Sequence, residues 1–160
     1  MPYRLETRVA VPAPLDTVFA FFSDARNLQA ITPPFLNFRL LTPAVEMRKG
    51  ARIDYRLRLR GVPFKWQSEI TSWEPGVRFR DEQRRGPYRY WKHVHLFTAD
   101  AGGTVVEDGV DYDVPGGRYV HDWLVAPELM RIFTFRQHKL QEIFGADRAN
   151  GVKVAIQIKL

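Results

Sequence analysis

Cysteine is absent from the 160 residues. Its absence excludes a disulfide framework, a thiolate nucleophile and a cysteine-ligated zinc site, and makes the reducing cytoplasm the expected compartment. Nor does any window approach the roughly 18 consecutive apolar residues that a spanning helix needs, so no integral membrane segment is expected. The opening MPYRLETRVAVPAP has no long apolar run and reads as a strand, which argues against a signal peptide or an anchor. Gly-rich phosphate loops between a strand and a helix are missing, as is a serine elbow. VPGG at 114–117 reads instead as a turn, and no cofactor is assigned.

What is present suits one domain with a real core, since a chain of this length buries about two-thirds of its unfolded surface. Aromatic residues make up 13% of the chain, which suggests that something broad and flat is being lined. The formal charge of +6 invites a nucleic-acid reading. Against it, acids stand between the scattered basic residues, and the densest basic group, ARIDYRLRLR at 51–60, strictly alternates. Arg52, Arg56, Arg58 and Arg60 share one face with Asp54, while Ile53, Tyr55, Leu57 and Leu59 share the other. That is a half-buried strand with a solvated face, and no nucleic-acid partner is expected.

Along the chain, YRLETRVAV alternates as a strand and is stopped by Pro12 and Pro14. LDTVFAFFSD then has Val18, Phe21 and Phe22 at helical spacing, and Ser23 or Asp24 can cap a second short helix, ARNLQAI, that ends before Pro33 and Pro34. From Phe35 to Val114 about six antiparallel strands are separated by turn residues. After Pro127 a long amphipathic helix carries Leu129, Ile132, Phe133, Arg136, Leu140, Ile143 and Phe144 on one stripe, and Gly145 ends it. An α+β fold follows, with a curved antiparallel sheet wrapped around the long helix to bury that stripe.

Strand parity then proposes which side chains face inward, starting from strands whose other face is plainly polar. In FKWQSEI these are Phe64, Trp66, Ser68 and Ile70; in VRFRDEQR they are Val77, Phe79, Asp81 and Gln83. In TVVEDGVDYDV they are Val106, Asp108, Val110 and Tyr112. In GPYRYWKHVHLF the set is Trp91, His93, His95 and Phe97, so two titratable rings share an aromatic face. Buried charge needs partners, water or ligand. So many polar groups on one apolar face, with Arg136 able to point at them from the helix, read as a ligand cavity with apolar walls and a few orienting groups. The expected lining comprises Trp66, Ser68, Phe79, Asp81 and Gln83; Trp91, His93, His95 and Phe97; Asp108, Val110 and Tyr112; and Leu129, Phe133 and Arg136. The competing reading is a structural ion pair of Arg136 with Asp108 or Asp81. The His-x-His pair would also suit a metal, with Asp108 or Asp81 as third ligand, but two histidines alone are too weak a signal and no metal is assigned. His121 and His138 are expected at the surface beside the helix.

Three segments carry a resemblance to a known family: VPAPLDTVFAFFSDARNLQAITP, PFKWQSEITSWEPGVRFRDEQRRGPYRYWKHVHLF and GGTVVEDGVDYDVPGG. From Tyr3 to Gly145 the chain resembles the helix-grip (SRPBCC) superfamily of START lipid-binding domains, pollen-allergen-like proteins and a bacterial polyketide cyclase/dehydrase-like subgroup. The resemblance implies a helix-grip domain over residues 1–146 with an internal cavity, and no particular reaction. The expected function is binding of a hydrophobic or aromatic small molecule, lipid-like or polyketide-like. The alternative is a cyclase or dehydratase with His93, His95, Asp108 and Arg136 as candidate catalytic groups, a histidine near a carboxylate being a competent base. A third possibility is a partner-binding module that uses the arginine face or the C-terminal strand. Residues 147–160 depart from the family pattern: GVKVAIQIKL alternates Val152, Val154, Ile156 and Ile158 against polar residues and Ala155, an extra strand expected to pair with a sheet edge of its own chain or of a second copy in a homodimer.

Overall fold

The computed structural model describes residues 2–42, 44–146 and 151–159. Strand β1 (Tyr3–Val11) alternates as its sequence does, burying Tyr3, Leu5, Thr7, Val9 and Val11. Helix α1 (Leu15–Phe22) buries Val18, Phe19 and Phe22 on the face set by their helical spacing. The Asp24 side chain accepts from the Arg26 backbone N–H and so caps a 3-10 turn over Ala25–Ile31. Strands β2 (Arg39–Leu40), β3 (Arg52–Leu59), β4 (Val62–Glu74), β5 (Arg78–Arg85), β6 (Tyr90–Asp100) and β7 (Gly103–Asp113) follow as an antiparallel meander. With β1 and the C-terminal β8 (Lys153–Ile158) they form one sheet in the order β2-β3-β4-β5-β6-β7-β1-β8.

Two irregularities shape this sheet. The β3–β4 hairpin turns on Arg60 and Gly61, both at positive φ (53° and 79°), the conformation that tight two-residue hairpins demand. Arg60 tolerates it because its guanidinium donates to the Leu124 carbonyl and pairs with the buried Glu128 carboxylate at 2.9 Å, tying the hairpin to the long helix. Between β4 and β5 the register slips at Gln67/Ser68 and at Ile70/Ser72, and such bulges bend the strand and add twist.

The long helix begins earlier than the sequence suggests. It runs from α2 (Gly117–Val120) through a π turn (His121–Val125) into α3 (Ala126–Phe144). Pro127 donates no N–H and crowds the turn before it; the chain widens that turn rather than starting a fresh helix. On α3 the buried stripe is Leu129, Phe133, Arg136, Gln137, Leu140 and Gln141, and Gly145 closes the helix at φ 75°. Three further expectations need correction. Ile143 is 38% exposed because the last turns direct Leu140, Gln141 and Phe144 inward and leave it at the margin of the stripe, and Val77 is 49% exposed because it precedes β5 rather than pointing in from it. His121 is buried, its ring stacked on Tyr3 at 3.4 Å and its Nε2 within 2.8 Å of the Tyr112 hydroxyl.

Strand β8 pairs antiparallel with β1, setting Val154, Ile156 and Ile158 beside Thr7, Leu5 and Tyr3, and its apolar face packs toward α3. Residues 147–150 and 160 of the expected extension lie outside the described residues. Among the described residues no helix is long and apolar enough to cross a membrane. The concave face holds two apolar clusters, one around Phe19, Phe22, Ile70, Phe79 and Phe97, the other around Leu5, Trp66, Trp91, Tyr112, Leu129 and Phe133. A polar belt separates them.

Candidate ligand cavity

Under α3 the sheet leaves a cavity of about 160 Å³. A dry cavity of roughly 150 Å³ admits a benzene-sized molecule, so the space matters chemically. Its walls are mostly apolar, with Leu36, Ile53, Leu57, Trp66, Trp91, Leu129 and Phe133 prominent, and one side presents Ser68, Asp81, His93, His95 and Arg136. Strand parity explains that side: Asp81 opposes His93 across β5 and β6, and His95 opposes Asp108 across β6 and β7. Helix α3 lowers Arg136 and Gln137 onto the same patch.

Asp108 is the hub of the belt. Its Oδ1 accepts from His93 Nε2 at 2.8 Å and lies 3.2 Å from His95 Nδ1; its Oδ2 accepts from Thr7 Oγ1 at 2.8 Å and Gln137 Nε2 at 3.2 Å. Arg136 Nη2 stands 3.7 Å from Asp108 Oδ1 and 3.4 Å from His95 Nδ1. On its other side His95 Nε2 meets Asp81 Oδ2 at 2.7 Å. His93 and His95 stack at 3.7 Å, and His95 also stacks on Phe79 at 4.2 Å. Nearby, the indole N–H of Trp66 donates to Ser68 Oγ at 3.0 Å.

This geometry separates the two histidines electrostatically. Burial, reinforced by the neighbouring His95, pushes His93 below its ordinary value. Burial also opposes charge on His95, but its contacts with Asp108 and Asp81 outweigh it and raise that ring. For Asp108, burial works against ionisation, yet the Arg136 charge and the hydrogen bonds from His93 and His95 hold the carboxyl well below the usual range. Asp81 is likewise lowered, burial being outweighed chiefly by the His95 hydrogen bond. The result is a His93 biased toward its neutral form, with Nε2 on Asp108 and Nδ1 left 3.9 Å from Asp81, beside a His95 biased toward its cationic form. Chemically the wall offers one base, several donors and two carboxylates set against Arg136 and the histidines.

Asp81, His93 and His95 could bring ligand atoms within 4.8 Å of one another, a spacing compatible with a metal ion. The ring stacking works against shared coordination: planes inclined by only 25° send their in-plane lone pairs along separate layers.

Of the residues expected on the cavity, Trp66, Ser68, Phe79, Asp81, Trp91, His93, His95, Leu129, Phe133 and Arg136 line it. Five do not. Gln83 turns its side chain to the backbone of Tyr88, accepting from its N–H and donating to its carbonyl. Phe97 is packed into the first apolar cluster and Val110 into the second, Asp108 lies behind the histidines, and Tyr112 bonds His121. Apart from Gln83, each faces inward but is covered by other side chains, a depth that parity does not encode. Sequence reasoning left out Tyr55 and Tyr88 on the wall and Thr7 and Gln137 behind it. Tyr55 and Thr7 carry the same period-two signal as their neighbours; Tyr88 sits in a bend with no period to read.

Residues 11–129 match the family model described as "Polyketide cyclase / dehydrase and lipid transport". No curated protein shows a sequence match to the chain. Among solved structures, protein CV1439 from Chromobacterium violaceum superposes with a TM-score of 0.71 at 14% identity, covering 90% of this chain and 98% of its own. Protein Ms6760 from Mycobacterium smegmatis gives 0.67 at 16% identity (89% and 90% covered). A START superfamily protein from the same organism gives 0.64 at 12% identity (88% and 99% covered). At these identities the likeness establishes the helix-grip fold alone.

Proposed function

The chain belongs to the polyketide cyclase/dehydrase and lipid transport family, and from that premise we propose that it binds a hydrophobic or aromatic small molecule, lipid-like or polyketide-like, in the cavity beneath α3. The observation that carries this reading is the cavity itself: aromatic and aliphatic walls with one polar side, the composition of a site that holds an apolar body and orients one end of it. The candidate lining residues are those on the cavity wall, with Ser68, His95 and Arg136 as the orienting groups.

A second reading has its own support. His93 lines the cavity as a buried imidazole shifted toward its neutral form, with Nε2 held by Asp108 and Nδ1 at 3.9 Å from Asp81, too far to bond, the arrangement of a general base. With Arg136 beside it to stabilise an oxyanion, the same wall would serve a cyclisation or dehydration. A partner-binding role would use other surfaces, either the Arg56 and Arg58 face or the outer edge of β8, which pairs with no further strand among the described residues and through which two copies would pair.

Native mass spectrometry of freshly purified protein, compared with its denatured mass and an organic extract, tests the main reading. An apolar adduct lost on denaturation supports it. His93→Gln then separates the first two roles: a binder keeps its affinity within a few fold, whereas an enzyme loses turnover. Failure of every apolar probe to bind would overturn the cavity reading.

A further inference from the structure

Arg136 is nine-tenths buried and lines the cavity between the rings of Phe22 and Phe133. One of its terminal nitrogens reaches toward Asp108 and His95, but its Nε–H, also buried, meets no acceptor among the described residues. A donor left unmet in such a place is costly, and most buried polar groups find a partner. Nε itself is closed off, but the guanidinium borders the cavity and only Nη2 of its terminal nitrogens has a partner among the described residues, so an acceptor brought by the occupant can take up its remaining donor capacity.

The charges on the wall decide what kind of acceptor. Asp81 and Asp108 supply two negative charges. Arg136 supplies one positive charge, and His95, bonded to Asp81 through Nε2 while its Nδ1 lies between the Arg136 guanidinium and Asp108, supplies at most a second. His93 has one nitrogen on Asp108 and the other too far from Asp81 to bond, so it is neutral. The wall therefore carries no surplus positive charge before anything binds. A carboxylate placed against Arg136 would add a third negative charge within a few ångströms of Asp108, in a site shielded from water. A neutral oxygen meets the same donor at no such cost.

We infer that the occupant is a neutral, largely apolar molecule that presents a carbonyl-type oxygen to Arg136, and that the cavity discriminates against the corresponding carboxylate. This rests on the cavity-binding reading above and adds the chemistry of the bound end. Arg136 is the specificity-determining donor.

Three naphthalenes of nearly equal size, substituted at the same ring position, provide the test on the full chain at neutral pH: ethylnaphthalene with no acceptor, acetylnaphthalene with a neutral carbonyl, and naphthoate with a charge. Acetylnaphthalene is expected to bind about tenfold tighter than ethylnaphthalene, the worth of a hydrogen bond from a charged donor. Naphthoate is expected to bind no better than ethylnaphthalene. Arg136→Lys keeps the charge but removes the guanidinium, and should shrink the ratio of acetylnaphthalene to ethylnaphthalene affinity. Naphthoate binding as tightly as the ketone, no ketone advantage in the wild type, or an undiminished advantage in a folded Arg136→Lys protein overturns the inference; if ethylnaphthalene still binds, the cavity reading stands. Binding of none of the three removes both. Should the variant fail to fold, the wild-type comparison alone decides.

Discussion

The carboxylate of Asp108 and the imidazole of His93 are joined by a 2.8 Å hydrogen bond between strands adjacent in the sheet, both side chains being almost wholly buried. That pair orients His93 toward the cavity, and through the same oxygen it engages His95 and faces Arg136. Stability and function thus share one residue.

Replacing Asp108 by Asn should therefore be severe. The variant keeps the shape but leaves Arg136 and His95 without their common counter-charge, and breaking a buried pair in this way costs about 3–5 kcal/mol. Urea denaturation of wild type and Asp108→Asn measures it; a loss below about 1 kcal/mol, the ordinary effect of a point change, would show that the belt is not electrostatically coupled.

The opposed histidine shifts give stability a maximum in pH. His95 is raised on folding, so its contribution is complete below its unfolded value of about 6.5 and is lost as pH rises through the higher folded value. His93 is lowered, so stability falls as pH drops from about 6.5 toward its folded value. Asp81 and Asp108 are lowered from about 4, so a further loss follows on acidification below that value. Denaturation midpoints across pH should peak near 6.5. His95→Gln should flatten the alkaline side and His93→Gln the upper acid side; a profile unmoved by either change would contradict the assignment.

Filling the cavity should separate binding from folding. Ile132 lines it while only partly buried, so Ile132→Trp can place an indole in the space with little strain on the core. Binding of acetylnaphthalene should weaken by about tenfold or more, consistent with the loss of a whole apolar contact surface, while the melting temperature is kept or raised. Unchanged affinity would place the ligand elsewhere.

Strand β8 shields an edge. Val154, Ile156 and Ile158 pair alongside β1, so removing residues 151–160 exposes the backbone of β1 and the side chains of its neighbours. The shortened protein should melt earlier and self-associate, as unpaired edges do. Sedimentation of both forms checks this, and a monomer of unaltered stability would make the strand dispensable.

Much of this was legible in the order of residues. Period-two alternation is a local steric consequence of the strand, so Trp66, Ser68, Phe79, Asp81, Trp91, His93 and His95 could be assigned to one face without knowing what lay across from them. Helical spacing did the same for Leu129, Phe133 and Arg136, and the long helix with its antiparallel meander followed from the need to bury that stripe. Tertiary structure decided the rest. Which carboxylate meets which histidine depends on register, set by hairpin length and by the slips between β4 and β5. Whether an inward residue lines the cavity, as His93 does, or lies behind it, as Asp108 and Tyr112 do, depends on the depth at which the helix stops above the sheet. The burial of His121 and the pairing of β8 with β1 arise from contacts between residues far apart in the chain, and no local pattern encodes such distances.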